Sequence, residues 1–402
     1  MSELVGATAE SIDPAVCPFD HHAPRTAQQV WDTYADLRSR DTARSDLYGG
    51  FYVLTRFAEV RAAARDHATF SSAGGHRIPA IGTGRSLPID VDPPRHAEYR
   101  RLFTDRVTPA SVAELEPFLR RLIGGLVREF HKAGGGDFVP DVALAMPLAV
   151  LTEVVGFSEE TVSNLRRLTE QSWTRVTDAS LDEARRELRE VVQSEIARHR
   201  SERPSDYLTT MLSAEVDGRA IEDDELERIL LTFAIAGHET TANAAAWLVH
   251  FIASDDTLQL ALRNDPTLIP AYVEESLRLG TPAQAFARET TGQVEVGACP
   301  IPAGERVLLA YGAANRDERQ YDRPEQFDVV RGSRGHLAFG FGIHQCPGAL
   351  LARTELRLML DALLSVPPIR SDGPPQFDGL MGGIHLGPRA LPIRFDSAEV
   401  TP

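Results

Sequence analysis

The chain has 402 residues, 43% of them hydrophobic and 25% charged, which is ordinary for a globular protein and enough for a large packed core. A formal net charge of −16 excludes the basic surplus on which nucleic-acid binding ordinarily rests. Three cysteines, Cys17, Cys299 and Cys346, lie far apart with no Cys-x-x-Cys pair, so neither a structural zinc site nor a disulfide framework is expected.

Residues 1–26 read as an irregular lead-in with neither a membrane-spanning apolar run nor a basic-then-apolar leader, so a cytoplasmic protein without a membrane anchor is expected. Residues 27–66 combine a helical pattern (Val30, Tyr34, Leu37) with a short β hairpin around Gly49-Gly50-Phe51-Tyr52-Val53-Leu54. The segment 71–94 is rich in glycine and proline, a loop of the length that often covers a binding site. Helix follows helix from Ala113 to Arg203, with Gly134-Gly135-Gly136 as a break. Asp223-Asp224 can cap a long helix that runs to about Ala253. Beyond Leu279 short β-type runs appear, such as Val294-Glu295-Val296 and Arg306-Val307-Leu308-Leu309. An arginine-rich meander covers 311–345, one helix follows Cys346, and a final β region ends near Phe395. The expected fold is mainly α with a small β region.

One stretch organises the reading: Phe339-Gly340-Phe341-Gly342-Ile343-His344-Gln345-Cys346-Pro347-Gly348. Alternating glycines let backbone approach a flat ligand closely. Cys346 stands just before a helical apolar pattern, where the helix dipole favours a thiolate. Pro347, directly after it, has no N–H to offer the sulfur. The stretch resembles the heme-binding signature of the cytochrome P-450 monooxygenases, Phe-Gly-x-Gly-x-His-x-Cys-x-Gly, at every fixed position. The resemblance extends over almost the whole chain and implies one triangular, helix-rich domain over 1–402. It implies heme b ligated by Cys346, with Phe339 and Gly340 beside it and O2 as co-substrate, in the bacterial type that lacks a membrane anchor.

Three further segments gain meaning from that likeness. Between Arg228 and Asp255 the only acidic or basic residue besides histidines is Glu239, so this helix is expected to be buried on most faces. Its Ala236-Gly237-His238-Glu239-Thr240 resembles the family's oxygen-activating motif, which implies oxygen handling by Thr240, proton relay by Glu239, and space beside Ala236 and Gly237. Glu275 and Arg278, one helical turn apart, resemble the family's Glu-x-x-Arg core lock. In many members a third arginine completes the lock; here Gln326 stands where it often is, and Arg323 or Arg331 could substitute. Asp92-Pro93-Pro94-Arg95-His96-Ala97-Glu98-Tyr99-Arg100 resembles the segment whose His96 and Arg100 would clamp one heme propionate, with Arg288 and His344 on the other.

By the same resemblance, Leu87, Thr232, Ile235, Ala236, Ala283 to Phe286 (with Gln284), Ile384 and His385 would line a pocket for a small hydrophobic molecule, with Arg85 as a further polar contact. The segment 281–288 looks somewhat like its counterpart in bacterial alkoxybenzoate demethylases. The function implied is insertion of one oxygen atom into a small or medium hydrophobic substrate by a monomeric enzyme. Electrons would come from an acidic ferredoxin docked by Arg101, Arg331, Arg334 and Arg353. A peroxide-driven peroxygenase and a non-catalytic heme sensor are the rival readings; the Glu239-Thr240 pair disfavours the former.

Overall fold

A computed structural model of the protein describes residues 19–396, apart from 24, 41, 81–84, 175–179 and 332–334, and omits the side chains of 169–182 and 184–185. Most of the 1–26 lead-in therefore lies outside the described residues, as does Arg334.

In chain order the elements are α1 (Ala27–Ser39), β1 (Ala43–Ser45), β2 (Phe51–Leu54), α2 (Phe57–Arg65), β3 (Phe70–Ser71), α3 (Arg95–Thr104) and α4 (Pro109–Lys132). There follow β4 (Gly135–Asp137), α5 (Ala145–Val155), α6 (Glu159–Thr174), α7 (Ser180–Glu202), α8 (Tyr207–Met211), β5 (Glu215–Val216), β6 (Arg219–Ala220) and α9 (Asp223–Ala253). The last part holds α10 (Asp256–Asn264), α11 (Ile269–Gly280), β7 (Phe286–Thr290), β8 (Val294–Val296), β9 (Cys299–Ile301), β10 (Arg306–Leu309), α12 (Tyr311–Ala314), α13 (Ala349–Leu364), β11 (Ile369–Ser371) and β12 (Pro392–Phe395).

The long helix α9 is the axis of the molecule. At 1.5 Å per residue it is about 46 Å long, and it packs against α5, α7, α11 and α13. Its cap is Glu222, one residue before the expected pair; Glu222 and Glu225 form a reciprocal capping box, and the acidic first turn suits the helix dipole. The main apolar cluster is built around α4, α5, α9, α11 and α13. Beside it lies a five-stranded sheet in the order β1-β2-β10-β7-β3. Here β2 and β10 run parallel while the other pairs are antiparallel.

The glycine break after α4 is itself a strand. Gly135–Asp137 pairs with β12, and β11 completes a three-stranded sheet. Gly135, at φ +109°, is needed there: a Cβ would press on the Ile393 carbonyl of β12.

Candidate functional site

The Cys346 segment is fixed by its backbone. The Cys346 N–H donates to the Phe339 carbonyl at 2.8 Å, closing the loop on itself. Gly340 and Gly342 have φ of +68° and +74°, and a Cβ on Gly342 would press on the Ala64 carbonyl of α2. The loop is thus held against α2 at a distance only glycine allows. Cys346 is exposed, yet the protein around it pushes the thiol up, opposed by the Gly348 N–H and then by the charges of Arg100 and Arg353. Pro347 contributes no donor, and the Gly348 N–H favours the thiolate in its place. The sequence alone did not reveal this substitution.

Four donors from separated parts of the chain meet beside this loop. His96 and Arg100 come from α3, Arg288 from β7 and His344 from the loop. The rings of His96 and His344 lie 4.5 Å apart, edge to face. Arg100 donates to the Gln345 carbonyl and Arg288 to that of Ala287. His344 Nε2 meets Ser72 Oγ at 2.9 Å, which leaves Nδ1 for another partner. Burial, then the charges of Arg288, His96 and Arg100, holds His344 down at about 2. His96 is also lowered, by burial and then by Arg100.

These residues fit the heme expected from the sequence. His96 Nε2 is buried without a hydrogen-bond partner, although 5% of the residue is exposed. Arg288 is 2% exposed and spends its one described hydrogen bond on a carbonyl. Buried donors with so little anionic company call for an anion, and two carboxylates at the edge of a planar group meet that need. Cys346 is the soft donor beside them.

On α9, Glu239 and His238 are buried, Thr240 is half-buried, and Ala236 and Gly237 are exposed in the middle of an otherwise interior helix. Thr240 Oγ1 donates to the Ala236 carbonyl at 2.7 Å. Its proton is thereby committed and its lone pairs are left to accept. The helix remains continuous here, so the space beside Ala236 and Gly237 comes from their small side chains and not from a break in the ladder. Burial, then the charge of Arg166, holds His238 at about 4, so it is neutral at neutral pH.

Glu275 and Arg278 are 0% exposed and joined by two bonds, Nε–Oε2 at 2.8 Å and Nη2–Oε1 at 2.7 Å. The third member is Arg331, whose Nε lies 3.3 Å from Glu275 Oε1, whereas Arg323 lies near Asp328 and Gln326. Arg278 also donates to the carbonyls of Asn315 (2.7 Å) and Pro324 (2.8 Å). Asn315 Oδ1 accepts from the Leu337 N–H at 2.7 Å, just ahead of the Cys346 loop. The adjacent Glu274, overlooked in the sequence, takes His336 (3.1 Å) and Arg353 (2.8 Å) on the two sides of that loop. Despite burial, these two partners hold its carboxyl at about 2. Helix α11 therefore anchors both flanks of the loop.

The substrate set divides. Ile235, Ala283 and Phe286 are half-buried, and Phe286 meets the His76 ring edge to face. Leu87, Thr232, Ile384 and His385 are buried. Thr232 donates to the Arg228 carbonyl at 2.8 Å. Burial, then Arg77 and His76, lowers His385 to about 3, so it too is neutral at neutral pH. Gln284 is fully buried: its amide donates to the carbonyls of Gly280 (3.0 Å) and Thr281 (2.5 Å) at the end of α11. Its NH2 group is spent on the backbone, whereas Oε1 is buried with no hydrogen-bond partner among the described residues and is left to accept.

The chain is similar to known proteins over most of its length. The family profile Cytochrome P450 matches residues 160–378. Cytochrome P450 107B1 of Saccharopolyspora erythraea is 32% identical over 396 residues, covering 92% of this chain and 95% of its own. Nocardicin C N-oxygenase of Nocardia uniformis subsp. tsuyamanensis is 35% identical over 378 residues, covering 90% and 94%. The crystal structure of CYP108D1 from Novosphingobium aromaticivorans superimposes with a TM-score of 0.84 at 29% identity, covering 92% and 95%.

Proposed function

Because the chain belongs to the cytochrome P450 family, we propose that it inserts one oxygen atom of O2 into a small or medium-sized hydrophobic substrate, by hydroxylation or oxidative dealkylation, with electrons from a ferredoxin and its reductase. Family membership makes it a monooxygenase that uses heme b and O2. Among the described residues no helix is long and apolar enough to cross a membrane. When bound, the heme would supply the redox chemistry, with Cys346 as its thiolate ligand.

The chain's own residues do the rest. Cys346 would hold the iron, and His96, Arg100, Arg288 and His344 would hold the propionates. The half-buried apolar side chains Ile235, Ala283 and Phe286 would keep water from the reacting carbon. The observation that carries the O2-dependent reading is the Thr240 hydroxyl. Bonded to the Ala236 carbonyl at 2.7 Å, beside the bare backbone of Gly237, it can accept a hydrogen bond from an O–H in the cavity. Glu239, buried one residue before it, is the carboxyl nearest in sequence to pass protons inward. A peroxide-driven enzyme would have no use for that pair. Thr240→Ala is expected to leave NADH consumption largely intact while product per NADH falls about tenfold or more, the lower part of the range for a positioned proton-transfer group. An unchanged ratio of product to NADH would remove Thr240 from oxygen handling.

The surface for the electron donor is revised. Arg331 is 10% exposed and bonded to Glu275, and Arg353 is paired with Glu274 and stacked over Phe339 at 4.4 Å. Neither is a free cation, and Arg334 lies outside the described residues. Arg101, 58% exposed and only loosely paired with the outward Glu98 at 3.7 Å, remains. Two arginines of α2 join it: Arg61 over the Phe341 ring at 4.4 Å, and Arg65, whose Cα borders Gly342. Both are exposed and make no ion pair among the described residues. An acidic ferredoxin would be steered by these three despite the net charge of −16. Arg65→Glu should slow ferredoxin-dependent reduction about tenfold at low salt and flatten its salt dependence. Rates indifferent to both salt and Arg65→Glu would refute this surface.

A further inference from the structure

Between the 85–94 loop, the start of α3 and the start of α9 lies a cavity of about 640 Å³. One wall is apolar, formed by Leu87, Val91, Pro93 and Pro94. Every carboxylate on the other walls is engaged. Asp92 takes Ser71 Oγ and the Ser72 N–H (3.0 Å); Glu225 takes Arg219 through two bonds of 2.8 Å, together with Tyr99 and Arg95. Asp224 pairs with Arg228, and Glu222 lies 3.5 Å from Arg219. Three of the four lining arginines are thereby used, and Arg95 also meets Asp217 at 2.8 Å. The fourth, Arg85, is exposed at the cavity and has no hydrogen bond or ion pair among the described residues.

The cavity backs onto the proposed site. Leu87 belongs to the main apolar cluster that α5 and α9 build. Ala73, on the cavity wall, follows Ser72, whose hydroxyl meets His344. A room with an apolar wall continuous with the main core and one unspent guanidinium suits a molecule with an apolar body and an anionic end. We propose that this cavity is an outer subsite of the monooxygenase, in which Arg85 holds the carboxylate of an amphiphilic substrate. The inference rests on the oxygen-inserting reading above and narrows its substrate class to apolar molecules that carry a carboxylate.

The test is a set of binding titrations on the heme-loaded full chain, followed by the spin-state change of the heme and by calorimetry. The probes are dodecanoate, methyl dodecanoate and dodecyltrimethylammonium, three heads on one apolar tail. Dodecanoate is expected to bind about tenfold tighter than its methyl ester, the lower end for a charge-assisted hydrogen bond. That ratio should fall to about one in Arg85→Gln and largely survive in Arg85→Lys, with added salt narrowing it. Equal binding of acid and ester by the unaltered protein, an unchanged ratio in Arg85→Gln, preference for the cation, or no detectable binding of any probe would each overturn the inference. The carbon monoxide spectrum of the same preparation separates the outcomes, because a thiolate-type band there leaves the heme-thiolate reading intact when the subsite fails.

Discussion

Cys346→His is expected to abolish the red-shifted Soret band that reduced protein gives with carbon monoxide, and to lower product formation by orders of magnitude. The thiolate pushes electron density toward the iron and favours O–O cleavage, whereas imidazole is a weaker donor of the kind found in globins and peroxidases. The protein should survive the change, because the loop is held by groups other than the sulfur. The Cys346 N–H bonds the Phe339 carbonyl, Gly342 lies against Ala64, and Arg100 bonds the Gln345 carbonyl. Circular dichroism of the variant should therefore match that of the unaltered chain. Cys346→Ser, closer in size, guards against a purely steric failure and should lose the same band. Persistence of the thiolate band in either variant would mean that another residue ligates the iron.

Local signals in the sequence were legible wherever chemistry and periodicity coincide. The Cys346 frame, the extent of α9 and the spacing of Glu275 and Arg278 are each written within a few turns of chain. What the sequence concealed are pairings across long separations. Arg331 reaches Glu275 from 56 residues away, and Arg353 reaches Glu274 from 79. In the sequence Arg353 reads as a surface cation for a redox partner and Arg331 as either that or the third member of the lock, and only the fold shows that both are taken up by carboxylates of α11. Arg61 and Arg65 became candidates for the opposite reason: nothing in the sequence of α2 ties it to a loop nearly 280 residues later, and the contact needs the missing Cβ of Gly342. Gln284 has a use the sequence does not display: its NH2 group caps the carbonyls that end α11, which leaves only Oε1 for another partner. The strand at Gly135–Asp137 was hidden because glycine lowers strand propensity, and only the close approach of β12 requires it.

Glu275→Gln should be the most destabilising single change among those considered. It removes the only carboxylate bonded to Arg278 among the described residues, a guanidinium with 0% exposure, and leaves a charge buried in protein. Breaking a buried pair from one side costs about 3–5 kcal/mol, a large fraction of the stability of an ordinary domain. Loss of heme absorbance in a guanidinium titration should report it at a markedly lower midpoint. The one amide oxygen that remains must then serve the Asp328 N–H as well as the arginines, and through Asn315 and Leu337 the disturbance runs to the Cys346 loop. Arg331→Gln, which removes only the outer cation at 3.3 Å, should cost clearly less. The double variant Glu275→Met/Arg278→Met decides what the lock is for. A buried ion pair that merely compensates its own charges can be replaced by apolar residues without loss. Here Arg278 also supplies the donors for the Asn315 and Pro324 carbonyls, and a buried carbonyl stripped of its donor costs about 1–3 kcal/mol. The double variant should therefore remain destabilised by several kcal/mol, on the order of two such losses. Recovery to the midpoint of the unaltered protein would reduce the lock to an ion pair and detach it from the meander that carries the heme loop.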